Sequence, residues 1–140
     1  MMAMVTLNTD EYAVTYDDTD VVDEITCAFS RFNGALFDAG LPETKIRWAS
    51  SIVNRRAPGV PVGLLAMPDD PQTFALPHAV KLQMPHIFIT EKIKGVHPLD
   101  EWVLLHEMCH LRVPHHGEEF IEELKRVLDK NNWSVLLGGY

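Results

Sequence analysis

Leu104-Leu105-His106-Glu107-Met108-Cys109-His110-Leu111 runs directly into Arg112-Val113-Pro114-His115-His116-Gly117. The first eight residues lie in a stretch, Leu99 to Leu111, that is apolar around most of its circumference, the pattern of a buried central helix. Pro98 suits the first turn of that helix, and Asp100 and Glu101 suit its positive end. Four residues advance a helix by about 400°, so His106 and His110 project from the same face, one turn apart. Two imidazole nitrogens placed this way can meet one metal ion. Glu107 is offset by about 100° and borders the same face, within reach of a water without being a ligand.

The spacing H-E-x-x-H is informative in itself. With 7 His and ten Glu in 140 residues, chance supplies roughly 0.02 such motifs. The competing reading is a buried histidine pair satisfied by hydrogen bonds. Against it, two histidines and a glutamate in an apolar helix are costly unless they share a partner. Pro114 ends the helix, and Gly117 permits a tight turn into the next one. Spacing alone leaves the third ligand open between His115 and His116, with Glu118 and Glu119 as carboxylate alternatives. Three protein ligands with an open fourth position is the arrangement of a catalytic rather than a structural site.

Outward from this segment, the chain reads as α+β. Asp18, Thr19 and Asp20 offer N-cap chemistry, and Val22, Ile25, Phe29, Phe32 and Leu36 form one apolar stripe. This predicts an N-terminal helix over 20–38, closed by Gly40 and Pro42. Short strands are predicted at Lys45 to Trp48, with Ile52 and Val53 extending or following, at Gly63 to Met67, and at His86 to Thr90. The expected sheet is small, of about three strands and mostly antiparallel. Residues 72–84 are ambiguous. Glu118 to Lys130 predicts a C-terminal helix with Phe120, Leu124, Val127 and Leu128 inward, and Ser134 to Leu137 a closing strand.

The charge is unevenly placed. The net charge is −8, from 12 Lys+Arg and 20 Asp+Glu. Residues 1–30 hold seven acids and no Lys or Arg, while the remaining thirteen acids nearly balance the twelve bases. Residues 1–18 are therefore expected as an acidic leader, a tail or an edge strand, ahead of a domain over 19–140. A broadly basic nucleic-acid binder is disfavoured, and overall charge gives a nucleic-acid partner no support. No apolar run is long enough to span a membrane, and Met1 to Leu7 lacks the positive flank of a secretory signal. Cys27 and Cys109 are expected reduced, inside helices, and the location cytoplasmic.

His106-Glu107-Met108-Cys109-His110-Leu111 followed by His116-Gly117-Glu118-Glu119-Phe120 resembles the signature of the SprT-like (Spartan-type) zinc metalloproteases. Phe32-Asn33-x-x-Leu36-Phe37, then Leu41-Pro42, then Ile46-x-Trp48, agree with it, so the resemblance runs from about residue 20 to residue 130. It implies a zincin-like domain in which His106, His110 and His116 hold Zn2+ and Glu107 is the catalytic glutamate. His115 then becomes a neighbour. The implied activity is hydrolysis of peptide bonds in protein substrates by a zinc metalloendopeptidase, with Glu107 as general base. A non-enzymatic, zinc-stabilised binding or scaffold domain is the alternative. The larger members' C-terminal zinc ribbon is not expected here, since no cysteine follows Cys109.

Other polar residues take plainer readings. His78, His86 and His97 read as surface or loop histidines, and Trp48, Trp102 and Trp133 as packing residues. Lys45, Arg47, Arg55 and Arg56 form a basic patch that reads first as a solvated strand and loop, and second as a contact for an acidic partner. The acidic leader could cover it. The strand His86 to Thr90 is the expected edge for pairing with an extended peptide.

Overall fold

The chain order in the computed structural model is β1 (Met4–Asn8), β2 (Tyr12–Asp17), α1 (Glu24–Leu36), β3 (Lys45–Asn54), β4 (Gly63–Ala66), β5 (Thr73–Phe74), β6 (His86–Thr90), α2 (Leu99–His110) and α3 (Glu118–Lys130). The described residues are 4–9, 11–20, 22–56, 59–68, 73–74 and 82–133. The expected strand at Ser134 to Leu137 and the histidine at position 78 lie outside them. The architecture is α+β, as the sequence predicts.

The sheet holds six strands in the order β4-β6-β3-β2-β1-β5, where about three were expected. Only β3 and β6 run parallel; the other pairs are antiparallel. The additional strands come mostly from the acidic N-terminal residues. They form a hairpin, β1 with β2, and both strands lie inside the sheet order rather than at its edge. The sequence hides this hairpin because its turn carries no Gly or Pro at its described positions. Thr9 closes it instead, its N–H donating to the Tyr12 carbonyl at 2.8 Å and its Oγ1 accepting from the Tyr12 N–H at 2.9 Å.

The strand His86 to Thr90 is also not an edge. It pairs with β3 on one side and β4 on the other. All five of its residues are buried, so its apolar run reflects burial on both faces. Ile87 and Ile89 face the main core, which the three helices complete, while Phe88 faces a second cluster with Leu7, Val14, Tyr16 and Ile52. Among the described residues the free edge on this side belongs to β4.

Helix α1 begins later than predicted. Its N-cap is Asp23, in a reciprocal capping box with Thr26. The Asp23 carboxylate also accepts from the Trp48 indole N–H at 2.8 Å, which ties the helix start to β3. Asp18 and Asp20, read as caps, instead pair with Arg47, at 3.5 and 2.8 Å, and Asp20 also reaches Lys45 at 3.3 Å. The far end of α1 has no basic residue of its own. Arg126 donates to the Leu36 carbonyl at 2.9 Å and Arg112 to the Phe37 carbonyl at 3.0 Å, satisfying groups a helix end leaves orphaned.

Helix α2 is the centre of the main core. Val103, Leu104, Leu105, Met108 and Cys109 are all buried, and the helix touches α1, α3, β4 and β6. Each fully buried Leu or Met contributes about 1.5–3 kcal/mol, which fixes the rotation of the helix. That rotation leaves one strip of α2, carrying His106, Glu107 and His110, toward the β4 side.

Candidate metal centre

His106 and His110 project from the last two turns of α2, and His116 comes from the turn between α2 and α3. Pro114 and the start of α3 at Glu118 fold this turn back over the helix end. Ligand atoms of the three imidazoles all lie within 4.8 Å of one another, the one such convergence of His, Cys, Asp or Glu among the described residues. Nε2 of His110 and Nε2 of His116 stand 2.9 Å apart. His115 is not part of the convergence.

The rings are held from behind. Nδ1 of His110 lies 3.1 Å from the Val113 carbonyl, which accepts a hydrogen bond from Nδ1–H and so leaves the Nε2 lone pair for a metal. Burial, ahead of smaller charge effects, lowers the basicity of His110, which favours the neutral ring a metal needs. His106 stacks on Trp102, with ring centroids 5.4 Å apart, and its Nδ1 lies 3.2 Å from Oε2 of Glu107. Phe120, fully buried in the first turn of α3, touches all three imidazoles, with centroids 5.1, 4.2 and 4.9 Å from His106, His110 and His116. Helical spacing alone puts Phe120 in the core; its place as the floor of the histidine cluster depends on how α3 packs on α2.

The three histidines and Glu107 open onto a cleft of about 450 Å³. Its other wall is β4 with Tyr12 of β2. Gly63 brings β4 close to α2: a Cβ there would stand 2.6 Å from Cγ1 of Val103 and 3.4 Å from Cγ of Glu107. Neither Gly63 nor Tyr12 is marked by the motif. Gly63 carried one signal, a glycine heading an apolar strand, which often means close backbone approach.

Three imidazoles that can all be neutral, with no thiolate among them, form a donor set that fits zinc and related divalent ions. Cys109 contributes nothing to it, since its buried thiol is pushed up to about 12 and it packs in the core. Both cysteines are free thiols. Of the other histidines, His97 is exposed, whereas His86, read as a surface residue, is buried in β6 because both neighbouring strands cover it. The three tryptophans pack against the main core as expected.

Residues 76–135 match the family model described as YgjP-like, metallopeptidase domain. The matched segment contains β6, α2, the turn and α3, and with them the whole histidine cluster and Glu107. The match agrees with the SprT-like resemblance: over this segment the chain is similar to a metallopeptidase domain. Neither a curated protein nor a solved structure matches the chain. No helix among the described residues is long and apolar enough to cross a membrane.

Proposed function

We propose that the protein is a zinc-dependent endopeptidase of the zincin-like type. His106, His110 and His116 would hold the metal, and Glu107 is the general base. The observation that carries this reading is the convergence of the three imidazoles beside a buried glutamate at the wall of a cleft. A bound zinc ion supplies Lewis-acid chemistry, acidifying water and polarising a peptide carbonyl.

The residues of the chain supply the rest. Glu107 takes a proton from the attacking water on its carboxylate and passes it to the nitrogen of the departing amine. The contacts of His110 with Val113 and of all three rings with Phe120 preset the donor geometry. A substrate in extended form lies along β4, whose outer edge offers backbone hydrogen bonds next to the histidines. Pairing of this kind needs no free substrate terminus, which is the basis for proposing internal cleavage.

The test is metal analysis together with cleavage of an unfolded protein such as casein. Wild type is expected to hold about one zinc and to cleave. Glu107→Gln is expected to keep the zinc and lose cleavage, and His110→Ala to lose both. Zinc retained by His110→Ala refutes the ligand assignment. A zinc-bound wild type that cleaves nothing supports a scaffold domain instead.

A further inference from the structure

Among the described residues that line the cleft, one side chain with a donor stands apart from the histidines and Glu107: Tyr12. We infer that the Tyr12 hydroxyl donates a hydrogen bond to the carbonyl oxygen of the scissile peptide as negative charge develops on it. This inference rests on the peptidase reading and assigns the substrate's oxygen a partner in the protein.

Elimination is the first argument. The described residues that line the cleft apart from His106, Glu107, His110 and His116 are aliphatic, Met, Pro or Gly, except for Tyr12. An attacked carbonyl develops an oxyanion, and a preorganised donor facing it is worth about 10²–10³-fold in rate. Among these side chains Tyr12 is the group with a neutral O–H to give.

Placement is the second. Tyr12 opens β2, and its backbone is fixed on both sides, by the Thr9 turn and by pairing with Asn54 of β3. Its ring packs against the second core cluster, which includes Ala66 at the end of β4. The phenol is thus carried on the sheet and not on a free loop. Tyr12 lines the same cleft as Glu107, His106, His110 and His116. Burial, then Glu11, then Glu107 raise its pKa above 10.0, so the proton to be donated is present at neutral pH.

Timing is the third. A neutral peptide carbonyl accepts a hydrogen bond weakly, whereas an oxyanion accepts one strongly. The hydrogen bond therefore forms mainly in the transition state, and its loss should fall on kcat more than on KM.

Tyr12→Phe keeps the ring and its packing and removes the donor. With the zinc-loaded enzyme and a peptide spanning a mapped casein cleavage site, it is expected to lower kcat about 100-fold while KM moves little. A phosphinic analogue of that peptide, which presents tetrahedral anionic oxygens, should bind Tyr12→Phe about 10–100-fold more weakly by calorimetry. Zinc content and thermal midpoint should be unchanged. Tyr12→Leu separates packing from donation: a structural role would spare Phe and damage Leu, whereas a donor role damages both. An active wild type, a dead Glu107→Gln and a Tyr12→Phe with wild-type kcat and inhibitor affinity overturn the assignment while leaving the peptidase reading intact. A zinc-loaded wild type that cleaves no casein overturns the peptidase reading, and the Tyr12 role falls with it.

Discussion

The imidazole of His110 lies flat on the ring of Phe120, with centroids 4.2 Å apart and planes 15° apart. The same phenyl ring meets His106 and His116 edge-on or tilted. One fully buried aromatic residue of α3 therefore braces the three histidines of α2 and the following turn that are proposed as ligands. Phe120→Ala removes both a core side chain and the floor of the site. It is expected to cost about 3–5 kcal/mol of stability in chemical denaturation. Phe120→Leu should be milder in stability and yet weaken zinc binding about 10–100-fold, since a branched aliphatic group cannot present a flat face to the rings. Competition with a chromogenic chelator measures that loss. A Leu variant with wild-type affinity would show that the backbone alone positions the ligands.

Gly63 is where the sheet comes closest to the motif helix. A methyl group at that position has Val103 Cγ1 at 2.6 Å, too near for any real contact, so β4 or α2 must shift. Gly63→Ala is expected to destabilise the fold by about 1–3 kcal/mol through overpacking. It should also lower activity more than the stability loss explains, because the displaced strand is the one that borders Glu107. Activity measured well below the thermal midpoint, where the variant is fully folded, separates the two effects.

The motif segment could be read from sequence because its chemistry depends on residues four apart in one helix. Helical spacing alone brings His106 and His110 together, and Pro114 and Gly117 announce the turn that returns His116. Helix α3 was legible for a similar reason, with its inward face at Phe120, Leu124, Val127 and Leu128. What could not be read depends on long-range pairing. Tyr12 and Gly63 reach the cleft only because β1, β2 and β4 join one sheet, and nothing local encodes that register. The same holds for Asp18 and Asp20: local spacing makes them helix caps, while their partners in the structure, Lys45 and Arg47, lie on β3. His86 reads as a loop residue until strands close on both sides of it.

Those acid–base contacts give the acidic N-terminal residues a structural task. Arg47 is buried, 8% exposed, and its guanidinium meets Asp18 and Asp20, which are both far more exposed. The two acids thus neutralise a cation that the sheet has largely removed from water. Replacing both with Asn leaves that buried charge without an ionic partner. The double variant Asp18→Asn/Asp20→Asn is expected to have a clearly lower thermal midpoint, whereas Arg55→Gln, on the exposed end of the patch, should change little. Raising salt should reduce the midpoint of the wild type toward that of the double variant. Equal midpoints for wild type and double variant would mean that the pairing contributes nothing.

His86 makes stability depend on pH in a definite direction. Burial is the main reason its pKa is lowered from 6.5; the Met84 carbonyl and Asp18 oppose this, and Arg47 and Lys45 reinforce it. The unfolded chain therefore binds the proton before the folded chain does. The stabilisation is complete above 6.5 and declines as pH falls through that value toward the lower folded pKa. The measurement belongs in excess chelator, so that loss of metal on acidification does not contribute; His110, also lowered mainly by burial, adds a drop of the same sign that His86→Asn leaves in place. Denaturant midpoints for the metal-free wild type should drop between pH 7.5 and 5.5 (values chosen about one unit either side of the ordinary His pKa). His86→Asn removes the titrating ring and should reduce that drop, even if its stability at the higher pH is lower. A variant that keeps the full wild-type slope would move the acid sensitivity to other groups, with the three cluster histidines the next to test.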